Sequence, residues 1–240
     1  MFRLFKLKPP HGWSAVGWEL AIVTLGVLIA LGAQQVVETV HQRGDARDAE
    51  GEIRGELANN IAMLRSRWTV RGCVENRVNE LQTLIGSAGK DGTITTPNWV
   101  GRPQFWTMQL ARWQTTSQAG RAALLPPDEL ALYGSLYSFM DNVNALTAQE
   151  QMDWARLRAL EHLQRLTPEM SLELTNTLQE ARYANWRMGI WTIQIERLAN
   201  RLRLPAGRND IAASRSACVP MSTPREQAVR DSNSAFGSEP

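Results

Sequence analysis

The sequence predicts an all-α protein: a single N-terminal transmembrane helix that continues into a long helix, followed by an antiparallel bundle of about four helices. Three observations carry this. Ala15 to Ala33 reads AVGWELAIVTLGVLIALGA, a nearly unbroken apolar run. Beyond Gln34 the apolar residues recur at three- and four-residue steps, the period of a helix face, with no convincing strand alternation. Composition is that of a folded chain, with 43% hydrophobic and 21% charged residues among 240.

As a helix, the 19 residues from Ala15 to Ala33 span about 28 Å, close to the ~30 Å hydrocarbon core of a bilayer. Thr24 can satisfy its hydroxyl on its own backbone one turn back. Glu19 lies one turn from the end, where a carboxylate reaches the headgroups or is neutralised. Trp13 and Trp18 suit the interface on that side, and Arg3, Lys6 and Lys8 precede the span with no acid among them. The expected organisation is therefore a cytoplasmic segment 1–12, a transmembrane helix 13–35, a helical bundle 36–205 on the far side of the membrane and an extended tail 206–240. A cleaved signal peptide is the competing reading. Leu31-Gly32-Ala33 ends in a small residue but lacks one at the minus-three position, and the run is long for a signal core, so an uncleaved anchor is expected. Within the span, Gly26 and Ala30, with Ala33 one turn on, form a small-residue face that would let two copies approach closely.

Ile53, Leu57, Ile61, Leu64 and Trp68, then Val74, Val78, Leu81 and Ile85, continue one apolar stripe. With no proline between Pro10 and Pro97, the first helix is expected to run as a stalk to about Ile85, with Gly44 its weakest point. Glycine and proline mark 86–103 as a loop. A second, shorter helix is expected over about 104–120, loaded with Phe105, Trp106, Met108, Leu110 and Trp113. A third starts at Pro126-Pro127-Asp128, where proline fits the first turn, and carries Tyr133, Leu136, Met140 and Val143. Thr167-Pro168-Glu169 is an N-cap followed by proline, opening a fourth helix to about Leu204 with the seam Leu174, Leu178, Ala181, Met188, Ile195 and Leu202. In the tail, Thr223-Pro224-Arg225-Glu226 has the spacing of a capping box and predicts a short helix.

Taking Arg3, Lys6, Lys8 and Glu19 from totals of 26 basic and 24 acidic residues leaves residues 38–240 with 23 of each. A neutral body lacks the basic footprint that nucleic-acid binding needs, so no nucleic acid is expected as partner. No phosphate loop, dinucleotide fingerprint, zinc-protease helix, C-x-x-C or nucleophile elbow is present. His11, His41 and His162 are scattered, and His162 follows Glu161 directly, without the spacing of a di-iron pair. The expectation is therefore no catalytic residue, no metal, no cofactor and no enzyme. Cys73 and Cys218 would pair if the body is exported to an oxidising compartment, pinning the tail to the first helix. The most ligand-like group is Tyr183, Trp186 and Trp191 beside Arg187, since aromatic and guanidinium faces stack on a sugar, a base or a partner side chain. Trp99, Trp106 and Trp113 suggest a partner-facing cap.

Trp18-Glu19-Leu20, Ile22-Val23, Gly26 to Leu31 and Ala33 to Glu38, followed by Glu52 to Leu57 and Asn59-Asn60, form a block that resembles uncharacterised single-span bacterial membrane proteins of the alphaproteobacterial type. The resemblance covers about residues 13–60. It implies an inner-membrane anchor with a periplasmic body and carries no functional residues over. The expected function is a membrane-anchored structural or protein-interaction module of the cell envelope, partnered by the bilayer and by another protein or a second copy. The alternative is a periplasmic sensor or small-ligand-binding domain.

Overall fold

The computed structural model describes residues 13–205, 207 and 211–233. The basic segment before Trp13 and the ends of the tail lie outside them. Six α-helices follow in order: α1 (Trp13–Thr69), α2 (Arg71–Gly86), α3 (Ala111–Gln118), α4 (Pro127–Leu157), α5 (Pro168–Arg201) and α6 (Arg225–Asn233). Short 3-10 turns lie at Arg121–Leu124, Arg158–His162 and Ser216–Cys218. Among the described residues there is no strand, only an isolated antiparallel bridge between Thr93 and Arg165. All-α is what the apolar periodicity predicts.

The chain divides into two units at Asp48/Ala49. In the first, α1 contains a helix long and apolar enough to cross a membrane, with a mean hydropathy of 2.1 over its best window and none of that window buried. Val16, Leu20, Val23, Leu28 and Ile29 are all exposed. Gly26, Ala30 and Ala33 lie on one exposed face of this helix. The helix does not break at Gly44. One glycine costs about 1 kcal/mol, too little to interrupt a long cooperative helix.

In the second unit α4 and α5 run antiparallel, and two apolar clusters are strung along them. Ile53, Leu57, Ile61 and Leu64 of α1 meet Tyr133, Leu136, Met140 and Val143 of α4 and Met188, Ile195 and Ala199 of α5. Val74, Val78, Leu81 and Ile85 of α2 meet Trp154 and Leu157 of α4 and Leu174, Leu178 and Ala181 of α5. The expected stalk to Ile85 is thus two helices. The division falls at Val70, itself buried. Just before it, Ser66 Oγ donates to the Met63 carbonyl (2.8 Å) and Thr69 Oγ1 to the Ser66 carbonyl (2.7 Å). Such back-bonding competes with the backbone ladder, and Gly72 weakens the turn that follows. The re-aimed chain lets α2 cover the second cluster.

A second correction concerns 104–120. The helix starts only at Ala111, and 102–110 has no regular secondary structure. Two asparagines hold this stretch open. Asn60 on α1 donates to the Gln109 carbonyl (2.7 Å) and accepts from its N–H (2.8 Å). Asn144 on α4 does the same to Met108 (3.0 and 2.7 Å). Each side-chain amide thereby replaces a neighbouring strand and satisfies backbone groups that a helix would have used. The Glu56 carboxylate then accepts the Arg112 N–H (2.9 Å) at the start of α3, and the Tyr137 hydroxyl donates to its other oxygen (2.8 Å). Burial and that acceptor push the Tyr137 phenol up.

The described tail residues, 211–233, are docked on the bundle. Cys218 is joined to Cys73 by a disulfide, with Cα atoms 4.8 Å apart and a sequence separation of 145. The buried Arg77 of α2 donates to the carbonyls of Val100 and Val219, so one guanidinium ties α2, the 86–103 loop and the tail together. Trp99 Nε1 donates to the Ser216 carbonyl (2.9 Å). Gly101, at φ +68, is required here, because a Cβ would strike the Ser216 carbonyl. The short helix expected after Thr223 is α6.

Candidate functional site: an exposed seam on α5

α5 begins as its sequence dictates. Thr167 Oγ1 accepts the Met170 N–H (3.2 Å), Pro168 occupies the first turn, and Glu169 sits at the positive end of the helix dipole. The seam Leu174, Leu178, Ala181, Met188 and Ile195 is buried, as its spacing predicts.

The opposite side is not polar throughout. Five large apolar side chains of α5 stay exposed: Leu172 (65%), Tyr183 (52%), Trp186 (55%), Ile190 (36%) and Ile193 (39%). At about 100° per residue they fall within a sector about 80° wide. The last four follow the 3-4-3 spacing of a helix-packing seam. Two exposed arginines, Arg197 and Arg201, continue the same sector toward the C-terminus.

Beside the seam runs a groove of about 360 Å³ between α5 and the α1–α2 junction, bordered by Trp68, Arg71, Gly72 and Glu75 on one side and Trp186, Ile190 and Ile193 on the other. Its floor depends on Gly189. A Cβ there would collide with the Trp68 ring, so the glycine lets the indole lie against α5. Arg71 stacks on that indole from the far wall, its guanidinium 4.1 Å from the ring centre. Asn185 sets the wall's position: its Nδ2 donates to the Arg71 carbonyl (3.3 Å), and its Oδ1 accepts from Arg67 Nη2 (3.2 Å). Arg67 in turn pairs with Glu150 of α4 at 2.9 Å, both side chains almost wholly buried.

The sequence-predicted residues come together only in part. Arg187 donates to the Tyr183 hydroxyl (3.2 Å) and covers the Trp191 ring at 4.8 Å; Tyr183 and Trp186 lie 5.7 Å apart. Trp186 borders the groove, whereas Trp191 is half-buried against the core. Ile190, Ile193, Leu172, Trp68 and Arg71 escaped sequence reasoning. The 183–186–190–193 spacing was a readable signal for the first two; the contact of Trp68 with Gly189 was not, since it joins residues 121 positions apart. Trp99, Trp106 and Trp113 form no outward cap: Trp99 is buried, Trp106 Nε1 donates to Ser66 Oγ (3.0 Å), and Trp113 stacks on Tyr137 at 5.0 Å. His162 is exposed. Among the described residues no group of three His, Cys, Asp or Glu is placed to hold a metal ion.

Two other surface depressions are larger, at the start of α5 (Gly89, Lys90, Asp91, Arg165) and along α4 (Ala131, Gly134, Ser135, Ser138, Asn142). Both mix polar with apolar groups, Leu166 and Pro168 in the first and Phe139 in the second, and expose less apolar surface than the groove beside α5. Comparison of the chain with protein-family models, with curated proteins and with solved structures returns no match.

Proposed function

We propose that the protein is a single-pass, membrane-anchored interaction module of the bacterial inner membrane. Its N-terminus is cytoplasmic, and its helical body, a bundle of about four long helices, lies in the periplasm and engages another protein through α5. It is not an enzyme. The observation that carries this reading is the exposed seam Tyr183–Trp186–Ile190–Ile193, an apolar helix face with packing spacing left open to solvent. The apolar span of α1 supports the anchor, and the disulfide supports an oxidising compartment for the body.

The test is comparative isolation from solubilised membranes. A protein recovered with the wild type and with Ser138→Asp on α4, but lost with Trp186→Asp, supports the reading. An identical set of proteins with all three contradicts it. The groove volume, within the ~300–1,000 Å³ range of small-ligand sites, favours as second reading a small-ligand receptor. A small molecule that quenches Trp186 fluorescence in the purified chain would favour that over protein docking.

A further inference from the structure

We infer that the occupant of this seam is an acidic amphipathic helix of a partner protein, an assignment that rests on the interaction reading above and gives it a ligand chemistry. The body as a whole is electrically neutral, yet this face is not. Glu75 is engaged by Arg182 (3.5 Å) and Glu196 by Arg65 (2.9 Å); the exposed Glu180, two turns before Arg187 on its flank, faces Asp153 and leaves the arginines in excess. Arg71, Arg187, Arg197 and Arg201 have no carboxylate partner among the described residues. Their placement follows the seam. On the α5 wheel Gly189, over which Trp68 and Arg71 lie, and Arg187 sit on opposite flanks of the apolar sector, each about 80° from its centre. Arg197 and Arg201 close its C-terminal end.

Arg71 and Arg187 are each held over an indole, at 4.1 and 4.8 Å. Each guanidinium spends one Nη1 bond locally, Arg71 on the Trp68 carbonyl (3.2 Å) and Arg187 on the Tyr183 hydroxyl (3.2 Å), which leaves its other N–H groups for a carboxylate, and stacking reduces the freedom lost on pairing. A helix laid along the seam would place apolar residues against Tyr183, Trp186, Ile190 and Ile193, and its flanking positions would meet Arg71 on one side and Arg187 on the other. Acidic side chains there complete both pairs, and basic ones are repelled. The concave floor at Gly189 suits a helix better than a flat bilayer surface does. A second copy of α5 offers its own arginines to these arginines and is disfavoured.

The probe is a pair of synthetic helical peptides with identical leucine seams, one flanked by glutamates and the other by lysines. Each is titrated onto the full chain in zwitterionic nanodiscs and followed by fluorescence anisotropy of a peptide label. The glutamate peptide is expected to bind about tenfold or more tightly than its twin, and the difference to shrink as salt rises. Arg71→Glu/Arg187→Glu should reverse the preference, and Ile190→Asp should abolish binding of both. Equal binding of the two peptides, no binding of either, or a preference unchanged by the arginine reversal would overturn the assignment. So would concentration-dependent self-association lost in Ile190→Asp, or attachment to phosphatidylglycerol vesicles lost in the same variant without peptide discrimination. If these fail while Trp186→Asp still loses a membrane partner, the interaction module stands and its acidic-helix ligand does not.

Discussion

Beneath the groove, Arg67 of α1, Glu150 of α4 and Asn185 of α5 form a buried polar junction, and its energetics can be worked from the geometry. Arg67 is 3% exposed and Glu150 1%, with their charged atoms 2.9 Å apart. Removing one partner strands the other's charge in the core, which costs about 3–5 kcal/mol. Replacing both with apolar residues of similar volume removes the stranded charge, and such changes are about neutral or stabilising. Arg67→Met and Glu150→Met should therefore each lower the melting temperature by about 6–20 °C, taking ~2–4 °C per kcal/mol for a chain of this size. The double variant should recover most of that loss, giving a coupling of at least about 2 kcal/mol in the cycle. Thermal unfolding of the full chain in detergent, followed by circular dichroism, measures all four proteins. Two small single effects that simply add would refute the reasoning, because they would mean that the charges are solvated. Arg67→Met should also release Asn185, and through it the Arg71 wall, so a larger change in the fluorescence of Trp68 and Trp186 is expected than with Glu150→Met.

Asp153 of α4 is fully buried, and its pKa is raised to about 6 by burial and then by the Glu180 carboxylate. A raised carboxyl contributes stability that is present below its unfolded value near 4 and lost as pH climbs through 6, so Asp153→Asn should stabilise the chain by about 1–3 kcal/mol at pH 7.5 and by little at pH 4. A variant equally shifted at both pH values would contradict this. Closing a 145-residue separation, the Cys73–Cys218 bridge is worth up to about 5 kcal/mol in chain entropy, so Cys73→Ser/Cys218→Ser should melt well below the wild type. Arg77 and Trp99 should still keep its tail resistant to trypsin at Arg215 below the transition; rapid cleavage there would show that the bridge alone holds the tail. Gly101→Ala combines a left-handed backbone with a clash against the Ser216 carbonyl and should cost about 2–3 kcal/mol, read as a lower denaturation midpoint with unchanged slope.

The legibility of the fold varies with the range of the forces involved. The buried side of α5 could be read from Leu174 to Ile195, and its start from Thr167-Pro168, because periodicity and capping are local. The apolar run of α1 could be read for the same reason. The division at Val70 could not. Its apolar stripe resumes at Val74, the back-bonding of Ser66 and Thr69 is common inside helices, and the need to cover a second cluster on α4 and α5 appears only in the fold. Residues 104–110 misled for a related reason. Phe105, Trp106, Met108 and Leu110 are apolar enough for a helix face, but Asn60 and Asn144, 49 and 36 residues away, hold the backbone of Gln109 and Met108 open. The anchoring of the tail by Cys73 could be read from the chain's two cysteines, whereas its anchoring by Arg77 and Trp99 is non-local and leaves no local signal. Within the candidate site, Tyr183, Trp186 and Arg187 stood out by residue type, whereas Arg71 and Gly189 acquire their roles only when α2 is folded against α5.

The claim that α5 presents a docking seam is tested most directly by photo-cross-linking in living cells, with a photoreactive residue placed singly along α5 and on α4. The account predicts adducts to one protein at positions 183, 186, 190 and 193, a three- and four-residue rhythm, with none at 138 or 142. Adducts without that rhythm, or of equal yield on α4, would contradict it.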